Sequence, residues 1–156
     1  MKSFTPDAVP DSVLTEMRAP NKTIALEHLA KEASTLCEFS PESILAQLLE
    51  KEQAASSGIG DGVAIPHCKL RGLKKPITIL AQLKSPLPFD SLDGRPIDLM
   101  CLIVSPEREG VLHLQRLARI SRMMRNGMLR EHLRSAPNAD TIKAVLMASN
   151  DQCLAA

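Results

Sequence analysis

The chain is organised around one stretch, Ser56-Ser57-Gly58-Ile59-Gly60-Asp61-Gly62-Val63-Ala64-Ile65-Pro66-His67-Cys68-Lys69. Three of the chain's seven glycines alternate in its first half. The apolar run Val63 to Ile65 predicts a buried strand, and Pro66 marks its predicted end because proline has no N–H for a sheet. We therefore expect His67 where the strand opens into a loop, beside a backbone with little side-chain cover, where an imidazole can meet an anion. The residues alone also allow a glycine turn, a strand and an incidental histidine.

The stretch resembles the phosphorylation site of the enzyme IIA proteins of the bacterial phosphotransferase system, fructose/mannitol class. The resemblance rests on Glu52, six intervening residues, Ile59-Gly60, two further residues, and Val63-Ala64-Ile65-Pro66-His67. Cys68 follows the histidine, where Gly is common in that family and Cys is tolerated. The resemblance implies that His67 is the phosphorylated histidine and that the step needs no metal, nucleotide or other cofactor. It also implies a mixed sheet of about five strands flanked by helices.

Length and composition limit the class of protein. We expect the 156 residues to form a single domain, 1–156, around one core. The formal net charge is +1, whereas nucleic-acid and membrane-surface binders usually carry a clear basic excess. Three Phe with no Tyr or Trp leave almost nothing for base stacking. We therefore expect no nucleic-acid partner.

The cysteines and apolar runs indicate a cytoplasmic protein without membrane insertion. Cys37, Cys68, Cys101 and Cys153 show no Cys-x-x-Cys spacing, and a disulfide scaffold is unusual for a chain of this size. Met1 to Pro10 lacks the apolar core of a signal peptide. The longest apolar run, Leu99 to Val104, is too short to span a bilayer.

Helix signals flank the central part of the chain. Asn21 is a good N-cap for a helix whose apolar positions continue to Cys37. Ser40-Pro41-Glu42 opens a second helix, with an N-cap, a proline at the first helical position and an acid in the first turn. Further helices are predicted from Val111 to Met124, from Gly127 to about Arg134, and from Asp140 to Met147.

The strand signals lie between these helices. Ile77 to Leu83 predicts a strand that Ser85-Pro86-Leu87-Pro88 interrupts, and Ile97 to Val104 predicts a central strand covered on both faces. Asp11 to Met17 fits either a short helical turn or an edge strand. The predicted fold class is α/β, one mixed sheet of about five strands with helices on both faces.

Phosphoryl acceptance by an imidazole needs hydrogen-bond donors and positive charge around the acceptor nitrogen. Neutral imidazole is nucleophilic at neutral pH without a general base. Catalysis is then mainly positioning and stabilisation of charge on the phosphoryl oxygens. The motif offers the backbone amides at Gly58, Gly60 and Gly62 and the hydroxyl of Ser57.

His113 is the candidate second imidazole. It shares a helix face with Leu117, Ile120 and Met124, so it points inward near the start of its helix, where the macrodipole disfavours imidazolium. Spacing alone favours a satisfied core histidine. The family resemblance implies instead a second active-site histidine that donates an N–H to the phosphoryl group. His28 and His132 are predicted at the surface.

One position departs from the family pattern. The family usually has Arg followed by Glu at the end of the helix before the glycine loop, and here the pair is Lys51-Glu52. Lysine keeps the positive charge but loses the planar fork that binds two oxygens at once. Lys51 is therefore a possible cation of the site or a surface lysine without a role.

The resemblance implies a phosphocarrier that accepts a phosphoryl group on His67 from a small HPr-like carrier protein. Because no IIB, IIC or HPr sequence is attached, we expect the nitrogen-regulatory branch, whose phosphorylation state controls partners such as potassium-transport or sensor proteins. The alternatives are a IIA subunit of a fructose/mannitol-class uptake system and a binding module of the same fold that is not phosphorylated.

Two further hypotheses use Cys68. A thiol enzyme would need His113 as the base, because neighbouring side chains on an extended backbone, such as His67 and Cys68, point to opposite sides. A metal site built from these three residues lacks a recognisable ligand spacing. Both are disfavoured, and we expect no metal.

Overall fold

The structure is a computed structural model that describes residues 9–155, with the backbone alone described from 149 onwards. Predictions made from residues 1–8 and from the Cys153 side chain lie outside this part of the chain. The elements follow one another in this order: β1 (Ser12–Met17), α1 (Lys22–Ser34), α2 (Pro41–Ala54), β2 (Gly58–Gly60), β3 (Val63–Ala64), β4 (His67–Leu70), β5 (Ile77–Leu87), β6 (Ile97–Pro106), α3 (Gly110–Met123), α4 (Gly127–Ser135) and α5 (Ala139–Ala155).

The strands form one mixed sheet of six strands in the order β1-β5-β6-β3-β2, with β4 also paired to β6. β5 and β6 are antiparallel, whereas β1 runs parallel to β5. β3 and β4 lie one after the other along the same edge of β6, both parallel to it. The apolar strand β6 is central, as its sequence predicts, and every residue in it except Asp98 is buried.

Helices cover both faces of the sheet, which confirms the predicted fold class. On one face, α1 and α2 pack with the sheet around Leu26, Leu29, Ile44 and Leu48. On the other face, α3, α4 and α5 pack against alternate residues of the same strands. Asn21 caps α1 by accepting from the Ile24 amide, and Ser40 caps α2 by accepting from the Ser43 amide.

Two predictions made at prolines were wrong, one about a strand end and one about a loop. β5 continues through Ser85 and Pro86 to Leu87, with a register shift against β6 between Gln82 and Leu87. A bulge of this kind accepts a proline because the ladder is already interrupted there. β3 ends at Ala64, before Pro66 as predicted, but no loop follows, because the Pro66 carbonyl accepts from the Ile103 amide at 3.0 Å and β4 begins at the next residue.

Other differences lie at element ends. Residues 12–17 form the strand β1, which settles the alternatives left open for Asp11 to Met17. α1 ends at Ser34, three residues before Cys37. The last helix continues to Ala155 instead of ending near Met147. Within residues 9–155, the structure contains no helix with both the length and the apolar character required to cross a bilayer.

Candidate functional site

His67 is the first residue of β4, beside the second half of the central strand β6. It pairs in register with Ile103. Side chains alternate along β4, so His67 and Lys69 are half-buried on one face, whereas Cys68 and Leu70 are buried in the core on the other. His67 therefore lies on a strand and not in the loop that the sequence predicts.

The hydrogen bond at Nδ1 determines the tautomer of His67. Nδ1 lies 2.8 Å from the carbonyl oxygen of Ile65. Because a carbonyl oxygen can only accept, the neutral ring carries its proton on Nδ1. Nε2 then keeps its lone pair, which is the form an imidazole needs to attack an electrophile. The chain direction at Pro66 creates this contact, since the histidine ring turns back to the residue before the proline.

The structure brings His113 to His67 from another element. His113 lies in the first turn of α3 and is only 4% exposed. The centroids of the two rings are 5.5 Å apart, with an angle of 49° between their planes. His113 Nδ1 lies 2.7 Å from the hydroxyl oxygen of Ser105, at the end of β6. The other nitrogen, Nε2, is buried and has no hydrogen-bond partner in the described part of the chain.

His113 is neutral at physiological pH. Its pKa is lowered to about 4, first by burial and then by the neighbouring positive charges. In decreasing order of effect, these charges belong to His67, Lys69, Arg116 and Lys51. The sequence argument expected a neutral ring because of the helix macrodipole, whereas burial is the larger cause here. A neutral His113 can donate one N–H to an anion without competing for protons.

Lys69 is a further candidate site residue that sequence reasoning missed. It lies two residues after His67 on the same face of β4, and its charge acts on His113. The period-2 pattern of a strand would have revealed it if residues 67–70 had been predicted as extended. Lys51 is exposed at the end of α2, and its charge reaches both His113 and Cys68. The positive field around the two histidines would favour a phosphoryl anion.

Ser57 occupies a different environment from the one its prediction requires. Its hydroxyl donates to the Glu52 carboxylate at 2.7 Å, and its amide donates to the same carboxylate at 2.9 Å. Lys22 neutralises this carboxylate from 3.1 Å. The Glu52 of the motif therefore anchors the start of the glycine loop to α2. The hydroxyl proton is therefore engaged by Glu52 here, and a role of Ser57 toward the phosphoryl group stays a prediction.

The glycines shape the hairpin before His67. β2 and β3 are antiparallel, with Gly58 opposite Ala64. A Cβ at Gly62, whose φ is +79°, would lie 2.5 Å from a guanidinium nitrogen of Arg134. A Cβ at Gly58 would lie 2.5 Å from the Ser91 hydroxyl oxygen. These close approaches explain why glycine stands at positions 58 and 62. Binding of phosphate by the amides of Gly58, Gly60 and Gly62 stays a prediction.

Cys68 is unsuited to nucleophilic chemistry. Its side chain is completely buried in the core beneath the sheet. Burial raises the pKa of its thiol to about 12, with a smaller opposing effect of Lys51. The thiolate is the reactive form of cysteine, so this environment disfavours a thiol enzyme. The opposite orientations of Cys68 and His67 also prevent them from sharing a metal ion, and the described side chains contain no cluster of three metal-binding residues.

The arrangement of an accessible imidazole beside a second, buried imidazole can be compared with known proteins. The family model described as "Phosphoenolpyruvate-dependent sugar phosphotransferase system, EIIA 2" matches residues 9–149. The chain belongs to this family. The EIIA 2 family is a phosphotransferase component, and the predicted resemblance to enzyme IIA of the fructose/mannitol class is confirmed.

Individual relatives within the EIIA 2 family carry two kinds of name. The chain is 37% identical over 137 residues to a nitrogen regulatory protein of Bradyrhizobium diazoefficiens, covering 88% of this chain and 90% of that protein. It is 35% identical over 105 residues to a fructose-specific EIIA component of Haloferax volcanii, covering 67% and 68%. The crystal structure of the nitrogen regulatory protein IIA-Ntr of Neisseria meningitidis has a TM-score of 0.78 at 28% identity, covering 90% of this chain and 94% of that one.

Proposed function

We propose that this protein is a cytoplasmic phosphocarrier that accepts a phosphoryl group on His67 Nε2 from the phosphohistidine of an HPr-like carrier protein. The observation that carries the proposal is the pair of imidazoles. His67 is held by the Ile65 carbonyl with Nε2 unprotonated, and the buried His113 ring lies 5.5 Å away. The family supports the reaction class, and this geometry supports Nε2 as the acceptor atom.

The phosphoryl transfer needs no general base, because one N–P bond forms as another breaks. The lone pair of His67 Nε2 forms the new N–P bond as the N–P bond of the donor breaks and returns its electron pair to the donor nitrogen. The acceptor ring becomes positively charged as the bond forms, and its Nδ1–H remains hydrogen-bonded to the Ile65 carbonyl at 2.8 Å. That carbonyl dipole stabilises the developing imidazolium. The protein therefore orients the nucleophile and stabilises both charges of the product.

The surrounding groups fit a phosphoryl anion. His113 Nε2 is a buried nitrogen that lacks an acceptor, and leaving a buried N–H unpaired costs about 1–3 kcal/mol. A phosphoryl oxygen on His67 would supply that acceptor. Lys69 and Lys51 add positive charge, which opposes protonation of His113 and favours the phosphoryl anion for the same electrostatic reason. In this proposal His113 is the hydrogen-bond donor and Lys51 and Lys69 are the cations.

We favour a nitrogen-type regulatory role, in which the phosphorylation state of His67 controls the binding of partner proteins such as potassium transporters or sensor proteins. The support is the identity and near-complete coverage of the nitrogen regulatory relative. A subunit of a fructose-class uptake system is the second candidate, supported by the fructose-specific relative over a shorter part of the chain.

The direct test is incubation of the protein with phosphoenolpyruvate, enzyme I and an HPr-type carrier from the same cell, followed by intact-mass measurement. The wild type should gain one phosphoryl group that is acid-labile and base-stable. His67→Ala should gain none, and His132→Ala, which removes an exposed histidine on α4, should behave as the wild type. A phosphoryl group on the His67→Ala protein would show that the acceptor lies elsewhere.

A second measurement separates the two candidate roles. The phosphorylated protein is mixed with a fructose-class IIB domain from the same cell, and the loss of the phosphoryl group is followed over time. The regulatory role predicts retention on His67 with partner binding that depends on phosphorylation. Rapid and complete transfer to the IIB domain would instead support the transport role.

A further inference from the structure

A chain of three hydrogen-bonded side chains lies behind His113. Ser105 Oγ, which is fully buried, lies 2.7 Å from His113 Nδ1 and 2.9 Å from Arg116 Nη1. Arg116 also donates from Nη2 to Glu109 Oε1 at 2.7 Å. Only about a tenth of the Arg116 side chain is exposed. Ser105 is the penultimate residue of β6, whereas Glu109, His113 and Arg116 lie within or next to the first two turns of α3.

The direction of each hydrogen bond follows from the groups involved. A guanidinium only donates, so Ser105 Oγ accepts from Arg116. The hydroxyl proton then has His113 Nδ1 as its acceptor. If Nδ1 carried the ring proton, Ser105 Oγ would accept twice and its own proton would have no acceptor in a fully buried position. The arrangement that satisfies both the Ser105 hydroxyl and His113 Nδ1 therefore places the His113 proton on Nε2, the nitrogen without a partner.

Glu109 makes the position of Arg116 rigid. The Arg116 guanidinium forms two hydrogen bonds at once, to a hydroxyl oxygen and to a carboxylate, through two different terminal nitrogens. A lysine has a single nitrogen and cannot reproduce this planar geometry. Glu109 is the N-cap residue of α3, so the ion pair also joins the helix start to its second turn.

We propose that Arg116 is a positioning residue for phosphoryl transfer, which acts through Ser105 to keep the His113 proton on Nε2, where it is donated to the phosphoryl group on His67. The inference rests on the proposed function and deepens it. Arg116 makes no contact with the phosphoryl group in this account. Its role is to define which nitrogen of His113 is the donor.

The first test is the tautomer of His113 in the unmodified full-length protein, which does not depend on phosphoryl transfer. Long-range ¹H–¹⁵N spectra of the imidazoles at pH 7 report which nitrogen is protonated. We expect a protonated Nε2 and a hydrogen-bonded, unprotonated Nδ1 for His113. A proton on Nδ1 would overturn the proposal, whatever the kinetics show.

The second test compares Ser105→Ala and Arg116→Met with the matched control Arg122→Met, which removes an exposed arginine from the same helix. Ser105→Ala and Arg116→Met should each alter the Nδ1 shift of His113 and slow phosphoryl acceptance about tenfold or more, by loss of a well-placed donor. Arg116→Lys should recover only part of the rate, and Arg122→Met should change neither quantity. Unchanged shifts and rates in both test variants would overturn the proposal.

The two proposals fail in different ways. One outcome is that the wild type fails to accept a phosphoryl group while His113 is protonated on Nε2 and its Nδ1 shift changes in Ser105→Ala. In that case the proposed function is wrong, and the hydrogen-bond chain has a structural role only. If the wild type is phosphorylated on His67 but the His113 shifts and the rates are the same in both test variants, only the role of Arg116 fails.

Discussion

Acidification should destabilise this fold through His113, by an amount that follows from its environment. The pKa of His113 is about 4 in the folded protein, and its value in an unfolded chain is about 6.5. Between these values the unfolded state binds a proton that the folded state does not, so stability falls as the pH falls through this window. The stabilisation from a neutral His113 is complete above about pH 6.5, is reduced by about 2 kcal/mol at pH 5, and by about 3 kcal/mol at pH 4.

The effect is large enough to measure, because a domain of this kind is stable by only about 5–15 kcal/mol in total. Urea unfolding at pH 7, 6, 5 and 4 should be compared between the wild type and His113→Gln. Carboxylates and exposed histidines titrate equally in both proteins, so they cancel in the difference. Inside the window, the free energy of unfolding should fall more steeply for the wild type by up to about 1.4 kcal/mol per pH unit.

The control addresses His67, whose charge contributes to the low pKa of His113. The same pair of proteins should be measured in a His67→Gln background. Without the positive charge of His67, the pKa of His113 in the folded protein should be less depressed. The difference in slope should therefore persist, but over a narrower pH range. Equal slopes for wild type and His113→Gln in both backgrounds would refute the argument, because His113 would then titrate as it does in an unfolded chain.

Four further outcomes follow from the site and the hairpin. His113→Ala should slow phosphoryl acceptance about 10²–10³-fold in single-turnover assays, with His113→Gln recovering part of the rate through its amide N–H; a wild-type rate for the alanine variant would contradict this. Cys68→Ser should stay within a few-fold of the wild-type rate because the thiol faces the core, and a loss of about a hundredfold, or about 2.7 kcal/mol, would place the thiol in the mechanism. Lys69→Gln should slow acceptance about tenfold and make the rate less sensitive to salt, whereas a charge without a role would leave both unchanged. Gly62→Ala should reduce the free energy of unfolding in urea by clearly more than Gly94→Ala, since both glycines have positive φ but only a Cβ at 62 meets a neighbour, at 2.5 Å; equal losses would show that the close approach relaxes without cost.

Local signals in the sequence predicted the helices and the central strand well. The Ser40-Pro41-Glu42 start of α2 contains its own cap, and that helix ends one residue from its predicted end. The apolar run from Ile97 onwards is covered on both faces as predicted. Both signals depend on neighbouring residues alone, which is why no knowledge of distant contacts was needed.

The misplacement of His67 in a loop has a physical cause. Proline was taken to open a loop because it lacks an N–H, but its carbonyl can still accept, and Pro66 accepts from the Ile103 amide. The chain therefore stays beside β6 and β4 begins at once. Lys69 was missed as a direct consequence, because only an extended backbone places it on the same face as His67.

Contacts between distant segments could not be predicted from spacing. The sequence suggested that Ser57 assists the phosphoryl group, but its proton is used by Glu52. Nor does any local pattern relate Ser105 to Arg116, since one ends a strand and the other lies on the next helix. Their contact depends on how α3 packs against β6, and that packing decides the tautomer of His113.

The charge distribution explains how a chain with a net charge of +1 can favour a phosphoryl anion. The carboxylates in and around the hairpin pair with other cations, Glu52 with Lys22, Asp98 with Arg134 and Asp61 with Arg95. The charges of Lys51 and Lys69 act on His113. A phosphohistidine carries about two negative charges, as other phosphorylated side chains do, so transfer would reverse the local sign of the field.

The start of α3 exposes Val111, Leu112 and Leu114 around His113. Under the proposed function, a partner that packs against these apolar side chains would meet a positive centre in one state and a negative centre in the other. A single covalent change on His67 is then sufficient to select between partners.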